Sequence, residues 1–121
     1  MHILIFCHFG QNRSRYLAEY LVGLGYDDVV FAGIKDPDRE KIQKEIDQAN
    51  VIITVSDHIC DELRETYRLH DARLICLHVE DRPEMILPDH RRLEGNDWMA
   101  FQREHVYPAL KEQLDAYLPL K

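Results

Sequence analysis

The sequence predicts an α/β fold, a three-layer α/β/α sandwich built on a four-stranded parallel sheet in the order 2-1-3-4. Three observations predict it. Short apolar runs alternate with amphipathic stretches from end to end. The clearest runs are continuous rather than alternating, as in strands covered on both faces. A length of 121 residues suits one domain, 1–121, with room for a real core and none for a second.

The elements follow in order. Ile3-Leu4-Ile5-Phe6 is the first strand. Met1 to Phe6 lack a basic leader and a small-residue cleavage site, so they do not read as a signal peptide. From Ser14 to about Leu24 the spacing turns helical, with Leu17, Ala18, Leu21 and Leu24 on one side and Gly25 as the stop. Val29-Val30-Phe31-Ala32 is the second strand, closed by Gly33. Asp36-Pro37-Asp38 reads as a helix entry, and Ile42, Ile46 and Ala49 as that helix's buried stripe. Val51-Ile52-Ile53-Thr54-Val55 is the third strand, the richest in β-branched residues. Ser56 or Asp57 can cap the next helix, on which Ile59, Leu63 and Tyr67 recur every fourth residue. Arg73-Leu74-Ile75-Cys76-Leu77 is the fourth strand.

Residues 79–96 carry two prolines, mixed charges and no periodicity, and read as a long loop of the kind that often serves function. The last helix is expected to start near Asp97, which would cap it, and to turn Tyr107, Leu110, Leu114 and Leu118 inward. Pro108 within it should kink it or split it. With right-handed crossovers, the order 2-1-3-4 makes strand one a topological switch point, and ligands bind such sheets beyond the strand carboxyl ends at that switch. Cys7 stands there.

Composition narrows the function. The formal net charge of −7 argues against a general nucleic-acid binder, and no run approaches the ~20 apolar residues of a membrane span. Cysteines at 7, 60 and 76 are an odd number without framework spacing, so free thiols and a reducing, cytoplasmic setting are expected. Cys60 and Cys76 read as core residues, with a redox partnership to Cys7 as the alternative. The histidines at 2, 58, 70, 78, 90 and 105 show no ligand spacing, and neither a metal nor a cofactor is expected.

The chemistry lies in Cys7-His8-Phe9-Gly10-Gln11-Asn12-Arg13-Ser14, a C-x5-R-S spacing. A thiol between a strand end and a helix start sees the helix dipole and a ring of backbone N–H groups, both of which favour thiolate, the nucleophilic form. His8, Phe9, Gly10, Gln11 and Asn12 are enough to wrap the loop around a tetrahedral anion, with successive N–H groups pointing at its oxygens. Gly10 permits a positive φ. The Arg13 guanidinium can hold two oxygens at once and neutralise charge building at phosphorus. The Ser14 hydroxyl can donate to the Cys7 sulfur. Nucleotide loops of the G-x-x-x-x-G-K-[ST] or G-x-G-x-x-G kind are absent from the sequence.

On these residues the chain resembles the low-molecular-weight protein tyrosine phosphatases and their short bacterial and archaeal relatives. The likeness extends to Ala18-Glu19 in helix one, to Phe31-Ala32-Gly33, which resembles that family's Ser-Ala-Gly, and to Ala49-Asn50-Val51-Ile52-Ile53-Thr54-Val55, which resembles its Ala-Asp-Leu-Ile strand. Only the cysteine loop is specific. The resemblance implies a cysteinyl-phosphate mechanism acting on a phosphorylated protein or a small phosphoester. It also implies a loop aspartate that protonates the leaving group and then activates water. The family's Asp-Pro is missing here. Asp81 is the first choice for that acid and Asp89 the rival, with Asp97 behind them. Arg15 stands where the family has proline, and a rival register makes Arg15 rather than Arg13 the anion ligand; the C-x5-R-S spacing favours Arg13.

Other readings are weaker. An arsenate reductase needs close cysteines on a mobile segment, and a phosphocysteine carrier of the sugar-transport type does not need Arg13. A relative that binds phosphoproteins without turnover is compatible with the missing Asp-Pro. His8 reads as a pocket wall, Asp57-His58 as a helix cap, and Phe9, Tyr16 and Trp98 as core or as sides of an aromatic slot.

Overall fold

Aliphatic runs become strands where both faces can be covered. In a computed structural model of the protein, which describes residues 1–89 and 91–120, the strands are β1 (Ile3–Cys7), β2 (Val29–Gly33), β3 (Val51–Thr54) and β4 (Arg73–Cys76). All pair in parallel, in the order β2-β1-β3-β4, and the flanking helices make the predicted three-layer sandwich. Every residue of β1 and β3 is buried, which explains their unbroken apolar runs. The edge strands are partly open, with Val29 and Leu74 half-buried. His90, counted among the histidines above, lies outside the described residues.

The crossover helices are α1 (Arg13–Gly23), α2 (Arg39–Gln48) and α3 (Asp57–Thr66). The connection from β2 to β3 reverses the direction of travel across the sheet, so right-handed crossovers send α2 and α3 to the face opposite α1. There the Gln43 side chain of α2 hydrogen-bonds the backbone of Arg68 just past α3. Asp38 caps α2 by accepting the Lys41 N–H at 3.1 Å, while Ile42 and Ile46 are buried beneath it. Ser56 takes the cap position of α3 without a side-chain cap bond. Leu24 departs from its expected burial and is 50% exposed, because α1 ends at Gly23 and the next residue turns away in the cap.

Among its described residues, the segment 79–94 contains one short helix, α4 (Pro83–Ile86). The C-terminal run starts at Gly95, two residues before the expected Asp97. Glu94 takes the cap position, and Asp97 lies exposed in the first turn of α5 (Gly95–Phe101). Pro108 neither breaks the run nor separates it. It has no N–H to give, and just ahead of it the backbone widens into a π-turn, Gln102–Val106, in which the Tyr107 N–H reaches back to the Gln102 carbonyl. Helical backbone then continues as α6 (Tyr107–Asp115), which packs on α1. Val106, Leu110 and Leu114 are buried. Their spacing of four residues keeps them on one face of α6, close to a turn of about 3.6.

The cysteines are not all free. Cys60 of α3 and Cys76 of β4 form a disulfide, which leaves Cys7 as the free thiol. Their separation of 16 residues carries no framework signature; the β3-α3-β4 crossover folds the helix back over its own strand and brings them together. Among the described residues no helix is long and apolar enough to cross a membrane.

Candidate active site

All four strands point their carboxyl ends at one edge, and there the loop after β1 turns into α1. Two backbone bonds clip this loop to the chain leaving β2: Ile34 N–H to the Cys7 carbonyl at 2.9 Å and Lys35 N–H to the His8 carbonyl at 3.1 Å. Gly10 has φ +73°, the left-handed backbone that glycine tolerates. A Cβ there would lie 2.7 Å from the Gly33 nitrogen, and a Cβ on Gly33 would lie 2.5 Å from the Phe9 carbonyl carbon. The loop and the end of β2 thus meet backbone to backbone, and each needs the other to be glycine.

Inside this turn the Cys7 sulfur lies 3.0 Å from the Ser14 hydroxyl and accepts the Gly10 N–H at 3.2 Å. Burial opposes the thiolate. The Ser14 hydroxyl and the backbone N–H groups of Ser14, Asn12 and Gln11 overcome that opposition and hold the thiol below its ordinary pKa. Asn12 occupies the cap position of α1 but makes no side-chain cap bond. An asparagine there usually accepts from a first-turn N–H. Here its amide is engaged elsewhere, so it does not compete for the first-turn N–H groups, of which that of Ser14 acts on the thiol.

Arg13 and Arg15 part company. Arg13 is 4% exposed. Its Nη1 donates to the Val79 carbonyl at 2.6 Å, and its Nε faces the Asp81 carboxylate at 3.3 Å in an ion pair that is not an aligned hydrogen bond. Arg15 points outward and pairs with Glu19 one turn along α1. Of the candidate acids, only Asp81 joins Arg13. Asp89 is exposed and bonded to Arg91, and Asp97 lies exposed in α5.

His8, Phe9, Arg13, His58, Glu80, Asp81 and Arg82 line one cavity of about 350 Å³. Glu80 is held below its ordinary pKa: burial raises it, but the Arg82 guanidinium, bonded at 2.8 and 3.1 Å, more than compensates. His8 forms a wall, as expected, with its ring 6.0 Å from that of His58. Its pKa is pulled down by burial first and then by the Lys35 charge. The three aromatics do not gather into one slot. Phe9 is largely exposed beside this cavity, whereas Tyr16 and Trp98 line another of about 430 Å³, with Tyr16 stacked on Tyr107 at 4.3 Å. Among the described residues no group of three or more His, Cys, Asp and Glu gathers as metal ligands.

Three contributors escape sequence reasoning. Gly33 looks like a strand stop, and its contact with Phe9 is visible only once β1 and β2 pair. Gln102 and Tyr107 lie on the C-terminal run, about 90 residues from the loop, yet both bond the Asn12 side chain. An uncharged glutamine between Phe101 and Val106, at an inward position, is the one signal that could have marked Gln102. No known family model matches the chain, and no curated protein matches it.

Proposed function

We propose that the protein is a cysteine-dependent phosphomonoesterase of the low-molecular-weight tyrosine phosphatase type, acting on phosphotyrosine in proteins or on a small aryl phosphate. The supporting observations are the buried Cys7 thiol held by Ser14 and Gly10 and, six residues on, the Arg13 guanidinium paired with the Asp81 carboxylate. In the first step the Cys7 thiolate attacks phosphorus. The S–P bond forms, the P–O bond to the leaving group breaks, and the departing oxygen takes a proton from the Asp81 carboxyl. In the second step Asp81, now a carboxylate, takes a proton from water, whose oxygen attacks phosphorus. The S–P bond breaks, phosphate leaves and the thiolate is restored. Arg13 and the backbone N–H groups of residues 8–14 hold the charge on the equatorial oxygens through both steps.

A nucleophilic thiolate survives only where oxidation is restrained, and a cytoplasmic setting belongs to the proposal on that ground. The Cys60–Cys76 disulfide counts against that setting, since Cys60 is 3% exposed but Cys76 is only partly buried. The test is hydrolysis of para-nitrophenyl phosphate near pH ~6, with reductant and no metal. Turnover that vanishes in Cys7→Ser and is blocked by vanadate is expected. Its absence from freshly reduced wild type would replace the enzyme with an anion-binding protein, and phosphopeptide binding would then be measured.

A further inference from the structure

Gln102 is fully buried, and both ends of its amide are engaged. Its Oε1 accepts from Asn12 Nδ2 at 2.7 Å, and its Nε2 donates to the Asp81 carbonyl at 2.8 Å. The Tyr107 hydroxyl donates to the remaining Asn12 oxygen. One side chain therefore joins the loop that carries the thiol to the loop that carries the acid, and it does so from the π-turn. A buried amide is costly unless both ends are satisfied, so the pair of bonds fixes the separation of the two loops.

We propose that Gln102 is a positioning residue that sets the Asp81 loop against the phosphate loop. This inference rests on the phosphomonoesterase reading and adds a residue that touches neither substrate nor thiol. Without Gln102 the Asp81 carbonyl would lose its donor, and the carboxyl would lose its fixed station beside Arg13.

Two variants separate the contributions. Gln102→Leu removes both bonds. Gln102→Glu keeps the shape and the acceptor for Asn12 but loses the donor to Asp81. In both, kcat for phenyl phosphate, a poor leaving group, falls by about tenfold or more, while kcat for para-nitrophenyl phosphate falls by less than about threefold. In an Asp81→Asn background, adding Gln102→Leu has no further effect on phenyl phosphate, because residues acting through one group are not additive. A uniform loss on both esters, or full additivity with Asp81→Asn, overturns the inference.

Hydrogen exchange supplies a readout independent of turnover. Backbone amides of residues 79–82 should exchange about tenfold faster in Gln102→Leu, with the amides of β1 and β3 unchanged. Unchanged exchange at 79–82 overturns the strut even if wild type proves inactive. An inactive wild type with faster exchange there sinks the phosphatase reading and leaves the strut standing.

Discussion

The thiol side of the candidate site is one unbroken stretch, Cys7 to Ser14, whereas the acid side is gathered from the Val79 carbonyl, the Asp81 carboxylate and the Gln102 amide. The first is shaped by local backbone, a glycine with φ +73° and the first turn of α1. The second exists only because a C-terminal helical run docks across a loop. Chemistry that depends on neighbours in sequence is therefore sturdy here, and chemistry that depends on docking is adjustable. Anion binding and thiol reactivity should survive changes on the acid side, while proton delivery should not.

The largest test of that contrast is Arg13 against Arg15. Arg13→Lys keeps a charge but loses the planar fork and its bond to Val79, so kcat/KM should fall by roughly 10²-fold or more. Arg15→Lys alters an exposed pair with Glu19 and should stay within about twofold. Equal losses in the two variants would break the division between the arginines. Next comes the acid. Asp81→Asn should slow phenyl phosphate by roughly 10²-fold with little change in vanadate affinity, and Asp89→Asn should do neither. The reverse pattern would move the acid to Asp89.

The smallest effect lies within the thiol side. Ser14→Ala removes the hydroxyl that lowers the Cys7 pKa, so the midpoint of alkylation rate against pH should move upward. The same linkage touches stability. A thiol whose folded pKa lies below its unfolded value of about 9.0 gives up its proton more readily when folded. Its contribution is fully present above the unfolded pKa and is lost as pH falls through the folded one. Ser14→Ala should flatten that slope in denaturation midpoints measured across the window. An unmoved alkylation midpoint would mean that the helix N-terminus alone sets the thiol.

The same division explains what was legible in the sequence. The sheet order and the roles of Cys7, Gly10 and Ser14 as neighbours could be read because strand runs and a C-x5-R-S spacing are local signals. The placement of Arg13 inward and Arg15 outward follows from the same spacing. What escaped was set by long-range packing. Cys60 and Cys76 are both inward-facing by pattern, and nothing in their spacing says that the crossover lays one over the other. Leu24 is apolar at a helical interval, yet α1 ends one residue too early to bury it. Pro108 announces a disturbance of the last helix but not its form, because a kink, a break and a π-turn all accommodate a missing N–H. Gln102 is silent for the same reason, since its partners are chosen by that turn.

The close meeting of Gly10 and Gly33 has a consequence for product release, if the proposed phosphatase chemistry holds. A loop pressed between a strand terminus and a helix start is held close to one shape before any oxyanion arrives, so capture would cost little ordering entropy. The same readiness works in reverse. Inorganic phosphate offers the loop the same oxygens as the ester it came from, so a phosphatase built this way would release its product slowly and be throttled by it. Phosphate should then inhibit competitively, and the affinity of that inhibition would measure how rigidly two glycines hold the cradle.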